Sequence, residues 1–187
     1  MRRPDLEHVI RAAGAISGER ELVIVGTSSL LGAVPDAPAA LTRSRDVDLY
    51  PLHKPELADV IDGAIGEASA FEEQFGYYAH GVGPRTATLP RGWESRLVKV
   101  QNPNTNDYVG HCLDPHDLAA SKLAAFRDKD KEFVQALLRL RIVRRTGLLK
   151  RIADLPVAEE HRRMVRSWIE GLAKTPPKET RGRRRGR

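Results

Sequence analysis

The chain has 187 residues, a length that fits one domain or one domain with a small appendage and can bury a core without disulfide support. Its single cysteine, Cys112, excludes an internal disulfide and suits a reducing cytosol; the start shows no signal-peptide pattern, and the longest apolar stretch, Leu22 to Val34, is too short to span a bilayer. The formal net charge is +6, and the segment Lys174 to Arg187, with two lysines, five arginines and one glutamate, accounts for all of it, so the rest of the chain is neutral.

Leu6, Val9, Ile10 and Ala13 recur at helical spacing and predict a helix from Asp5 to about Ile16, stopped by Gly18. Glu21 to Val25 is short, β-branched and ended by Gly26, which predicts a buried strand. A short helix over Ser28 to Ala33 is ended by Pro35, and a loop follows over residues 36 to 44. Asp46-Val47-Asp48-Leu49-Tyr50 alternates polar and apolar, the mark of a strand with two faces, closed by Pro51. Leu57, Val60, Ile61 and Ile65 predict a helix from Pro55 to about Glu67. Strands are expected at Tyr77 to His80, Thr86 to Leu89, Arg96 to Gln101 and Tyr108 to Leu113, separated by Gly, Pro and Asn signals.

The pattern then becomes helical. Asp114 is a candidate N-cap, with Pro115 at the first helical position. Helices are expected over Pro115 to Arg127, Asp130 to Arg144, Leu148 to Ala153 and Val157 to Ala173. The predicted organisation is a mixed α/β part over 1–113, a helical part over 114–173 and a disordered basic tail over 174–187. A second basic cluster, Arg139, Arg141, Arg144, Arg145, Lys150 and Arg151, contains no acid. Together with the tail it points to a polyanionic partner, most simply nucleic acid.

Two features carry chemistry. A glycine at the end of a strand lets a ligand approach the backbone, and the hydroxyls and N–H groups of Thr27 and Ser28 are suited to phosphate oxygens. Asp46 and Asp48, two apart on a strand, share a face, where their repulsion is relieved by a cation such as Mg²⁺ (or Mn²⁺). A phosphate-type turn followed by an Asp-x-Asp strand is far more specific than either part.

These elements, Gly26-Thr27-Ser28 and Asp46-Val47-Asp48, resemble the hallmark of polymerase-β-type nucleotidyltransferases. The stretch from Asp117 to Asp130, DLAASKLAAFRDKD, is similar to the lysine helix of the toxin-like group, the AbiEii and MenT-like tRNA nucleotidyltransferase toxins. The resemblance covers roughly residues 20 to 140. It implies an α/β fold, with a small twisted mixed sheet of nucleotidyltransferase type and a C-terminal helical part. It also implies that Lys122 holds nucleotide phosphates and that Asp130 belongs to the catalytic set. A third metal-binding acid on a later strand, common in the superfamily, has no clear counterpart: Asp107, the nearest, sits among turn residues.

The expected reaction is metal-dependent nucleotidyl transfer from a nucleoside triphosphate, with pyrophosphate released. The toxin-like resemblance implies a cytoplasmic protein that adds nucleotides to the 3′ end of tRNA and has a cognate antitoxin as partner. It also implies a regulatory phosphorylation site at Ser44, two residues before Asp46 and flanked by Arg43 and Arg45. Two alternatives stand beside this: an enzyme whose acceptor is a protein hydroxyl or a small molecule, and a non-catalytic RNA-binding protein on the same fold.

Overall fold

The computed structural model describes residues 1–172; the predicted basic tail lies outside them. Helix α1 (Arg3–Ser17) leads into strand β1 (Glu21–Ile24), a 3₁₀ turn (Thr27–Ser29) and the single-turn helix α2 (Leu30–Ala33). Strand β2 (Asp46–Pro51), helices α3 (Ala58–Ile65) and α4 (Ala70–Phe75) and strand β3 (Tyr78–Gly81) follow. Strands β4 (Val98–Val100) and β5 (Val109–Cys112) complete a five-stranded mixed sheet in the order β3-β2-β1-β5-β4. Four helices close the described chain: α5 (Pro115–Ala125), α6 (Asp128–Arg139), α7 (Arg145–Ala153) and α8 (Glu159–Gly171). The fold is α/β, as the sequence implies.

Pairing explains the sheet's register. Strand β1 lies antiparallel to β2, with Val23 opposite Tyr50, and parallel to β5. Strand β3 adds to the far side of β2 in parallel, which sets Asp46 opposite Tyr78 and Asp48 opposite His80. Leu22, Val23 and Ile24 are all fully buried, because helices cover both faces of the central strand.

Each face has its own apolar cluster among the described residues. Leu6, Val9, Ile10 and Ala13 of α1 pack with Leu22, Ile24, Val47, Leu49 and Ile61. Val23, Val25 and Tyr50 pack on the other face with Leu118, Leu123, Val134, Leu137 and Leu148 of the C-terminal helices. Burial of each such Leu, Ile or Val contributes roughly 1.5–3 kcal/mol. The period-2 rule then decides where the acids go. Val47 and Leu49 belong to the α1 face, so Asp46, Asp48 and Tyr50 belong to the face that α5 covers.

Three expectations change. Thr86 to Leu89 is not a strand; the segment between Pro84 and Pro90 turns, with the Thr86 N–H on the Gly83 carbonyl, and proline at each side removes ladder donors. Helix α4 was not foreseen, although Ser69 caps it through the Glu72 N–H and Gly76 ends it in the left-handed region. The helix expected over Asp130 to Arg144 ends at Arg139, where Arg141 takes a φ of 58° and Val143 turns into the core. No helix among the described residues is long and apolar enough to cross a membrane.

A buried ion cluster ties α5 to its surroundings. Asp117 is fully buried, and Arg96 grips it with two hydrogen bonds, of 2.7 and 3.0 Å, while the Arg151 guanidinium lies 2.9 Å away. Burial raises the Asp117 pKa, and the two arginines oppose that rise. Arg96→Ala is expected to cost about 2 kcal/mol in urea denaturation, below the usual loss for a broken buried pair because Arg151 still faces the carboxylate. A change under 0.5 kcal/mol would show that Arg151 alone suffices.

Candidate active site

The strand β1 turn sits directly against the carboxylates. Gly26 has φ 66° and ψ −168°, a conformation essentially closed to other residues, and a Cβ there would run into Asp48 Oδ2. The turn is laced to β2: the Val25 N–H donates to the Asp48 carbonyl at 2.9 Å, and the Ser28 hydroxyl donates to the Asp46 carbonyl at 2.6 Å. The Ser28 hydroxyl is therefore occupied, and its backbone N–H is what remains to meet a phosphate. Thr27 faces an open cleft.

Asp46, Asp48 and His80 each offer a donor atom within 4.8 Å of the other two. His80 Nδ1 lies 3.0 Å from Asp48 Oδ1, and the Ser44 hydroxyl donates to Asp46 Oδ1. Burial, then the neighbouring Asp46 carboxylate, pushes the Asp48 pKa up, while His80 and Lys122 pull it down. Two converging carboxylates, one of them in a place that penalises its charge, fit a divalent cation. The 3.0 Å gap also suits neighbouring ligands of one ion, since an octahedron with bonds of about 2.1 Å has edges of about 3.0 Å.

Lys122 of α5 stands opposite this group and separates two openings. The larger, about 670 Å³, is lined by Thr27, Ser44, Lys122, Asp130 and the cations Arg43, Lys129 and Arg139. The smaller, about 330 Å³, is lined by Gly26, Asp48, Thr86, Thr88, Ser121 and Lys122. Both volumes lie in the range of small-molecule sites, about 300–1,000 Å³. Burial lowers the Lys122 pKa, and the Asp130 and Asp48 carboxylates counter this.

A family model described as a nucleotidyltransferase of unknown function (DUF6036) matches residues 5–168. The chain belongs to this nucleotidyltransferase family. Neither the curated proteins nor the solved structures include a match. The matched span contains Gly26, Asp46, Asp48, His80, Lys122 and Asp130.

The other expected residues of this nucleotidyltransferase fall in several places. Asp130 lies outside the metal-type group: it is buried beside Lys122's cleft, with Arg127 Nε 2.6 Å from its carboxylate. Arg139 lines the larger opening. Arg141, Arg144 and Arg145 line a separate surface recess with Leu138 and Val143, and Lys150 is exposed. Arg151 departs from the expected basic face, because its guanidinium turns inward to the buried Asp117. The other five cations form no ion pair among the described residues.

His80 was missed. Tyr78-Ala79-His80 reads as an ordinary strand end, and nothing local says that this strand lies beside β2. Arg96 was missed as well. Its only signal was the Gly92-Trp93-Glu94 turn, which forms a 3₁₀ turn that aims Arg96 at Asp117.

Proposed function

We propose that the protein is a metal-dependent nucleotidyltransferase that adds nucleotides to the 3′ end of tRNA, acting in the cytoplasm as the toxin of a toxin–antitoxin pair. The observation that carries the transfer chemistry is the convergence of Asp46, Asp48 and the Gly26 turn on one side and Lys122 on the other. Asp46 and Asp48 would hold Mg²⁺ or Mn²⁺, whose Lewis acidity supports triphosphate binding and lowers the pKa of the attacking hydroxyl. The free backbone at Gly26 and Thr27 lets the triphosphate approach closely. Lys122 offsets charge developing on the pyrophosphate as the acceptor oxygen bonds to the α-phosphorus and the α–β bridge breaks. The acceptor's proton leaves to solvent.

A nucleic-acid acceptor is favoured by the charge layout. Arg43, Lys129 and Arg139 line the larger opening beside Asp130 and Glu132, Arg141, Arg144 and Arg145 line a recess past the end of α6, and the sequence carries a further +6 from Lys174 to Arg187. A protein or small-molecule acceptor would not call for this layout. The test is incubation with total tRNA and each α-³²P-labelled nucleoside triphosphate. Label should appear on tRNA 3′ ends, fall roughly 100-fold or more in Lys122→Ala, and weaken with rising salt less steeply once residues 174–187 are deleted. Label on protein, or on no RNA with any nucleotide, would overturn the tRNA reading.

Ser44 would be the point of control. Its hydroxyl already touches Asp46 Oδ1, so a phosphate there would place about −1.5 to −2 charge against a metal-binding carboxylate. Ser44→Ala should keep transfer within about tenfold of wild type, since it removes one hydrogen bond. Stoichiometric phosphorylation of Ser44 should abolish transfer. Equal rates for the phosphorylated and unmodified proteins would end the idea.

A further inference from the structure

We propose that His80 is a direct ligand of the catalytic cation, and that its imidazole shifts the site's preference from Mg²⁺ toward divalent transition-metal ions such as Mn²⁺. The proposal rests on the metal-dependent reading above and goes further by assigning the donor set. Three observations support it.

The first is register. His80 stands opposite Asp48 across the parallel β2–β3 ladder, and residues so paired project to the same face. The imidazole is therefore delivered to the Asp46–Asp48 face by the backbone pairing. The side chain is exposed, so this placement does not come from apolar packing.

The second is convergence. All three donors lie within 4.8 Å, and no other Asp, Glu, His or Cys among the described residues joins them in such a group. Asp130, the remaining acid near the cleft, is held by Arg127 instead. Asp107 is in a turn with φ 64°, away from this group. Among the Asp, Glu, His and Cys side chains of the described residues, a third ligand therefore has one candidate, and it carries nitrogen in place of a carboxylate oxygen.

The third is the chemistry of that nitrogen. Mg²⁺ is hard, takes oxygen ligands and gives up water reluctantly, whereas imidazole suits transition-metal ions. Two carboxylates plus one imidazole form a borderline set. Such a set still accepts Mg²⁺ through its carboxylates, with His80 contributing little, but binds Mn²⁺ through all three groups. A simpler role is open to His80: an N–H donor that partly neutralises Asp48 and never meets the ion.

The experiment uses the full-length chain without an affinity histidine tag, stripped of metal and loaded with one equivalent of Mn²⁺. Electron spin-echo modulation of the bound Mn²⁺ should show coupling to a directly bound imidazole nitrogen. That coupling should vanish in His80→Gln. Competition titrations should show the Mn²⁺-over-Mg²⁺ affinity ratio falling about tenfold or more in His80→Asp, because a carboxylate restores an all-oxygen set. Stoichiometric Mn²⁺ binding without nitrogen coupling, or coupling that persists in His80→Gln, would overturn ligation by His80 and leave the carboxylate site standing. An unchanged affinity ratio in His80→Asp would overturn the preference. Failure of wild type to bind Mn²⁺ at all, with Asp48→Asn behaving identically, would remove the metal reading itself and this proposal with it. His80 is exposed, so matching circular dichroism melts for the variants will show that folding is not the cause.

Discussion

Asp48→Asn should lower nucleotidyl transfer by roughly 10³-fold while making the metal-free protein more stable. The activity loss follows from the place of the carboxylate: it touches the Gly26 turn and His80, and if it holds the proposed cation its loss removes several kcal/mol of transition-state stabilisation, at about 1.4 kcal/mol for each factor of ten. The gain in stability follows from its pKa. Burial and the Asp46 carboxylate hold the folded-state value above the ordinary 3.8. Below that ordinary value the group is protonated whether the chain is folded or unfolded, and it adds nothing either way. As pH rises from there through the raised folded pKa, the unfolded chain ionises freely while the folded one must ionise in an unfavourable place, so stability is lost. Asparagine keeps the shape and never ionises, so the variant escapes that loss at neutral pH.

The check is a set of thermal melts in EDTA at pH 4 and at pH 7.5, beside the transfer assay. The melting temperature of Asp48→Asn should exceed that of wild type by more at the higher pH. Adding Mn²⁺ or Mg²⁺ should reverse the order, because the ion stabilises only the protein that binds it. Wild-type activity in the variant would exclude Asp48 from the chemistry. A wild type that gains on the variant as pH rises in EDTA would show that the carboxylate is not destabilising there.

Gly26→Ala should damage both stability and activity, for a different reason. At φ 66° and ψ −168° an alanine carries backbone strain of about 1–3 kcal/mol, and its Cβ would meet Asp48 Oδ2. The carboxylate must swing away or the turn must shift. Either change would displace the proposed metal-holding carboxylate or phosphate turn by about 1 Å, which should cost on the order of 100-fold in rate. Urea denaturation should show a loss of about 3 kcal/mol, strain and collision together. The two parts are separable. In an Asp48→Ala background the collision is gone and only strain remains, so the penalty for Gly26→Ala should shrink. A full penalty in that background would mean that the conformation alone demands glycine. No penalty in either background would mean that the turn relaxes freely.

What the residues determine alone is local and periodic. The alternation Asp46-Val47-Asp48-Leu49-Tyr50 commits both acids to one face before any fold is known, because successive side chains on a strand point to opposite sides. Gly26 at the end of a β-branched run, and Asp114-Pro115 ahead of a helical pattern, mark a turn and a helix start by steric and hydrogen-bonding preference, and both are present. Lys122 is legible as a lysine on a helix whose other face carries Leu118, Ala119 and Leu123, and only the family resemblance suggests a role for it. What the tertiary structure decided is every relation between elements. His80 reaches Asp48 because β3 pairs with β2 in parallel, and the two residues are 32 apart in the chain. Arg151 looked like a member of a basic face until α7 packed against α5 and set it beside the fully buried Asp117, which leaves that carboxylate in need of positive partners. Strand pairing and helix docking are chosen by which apolar faces bury one another across the whole chain, and that choice leaves no mark in the spacing of neighbouring residues.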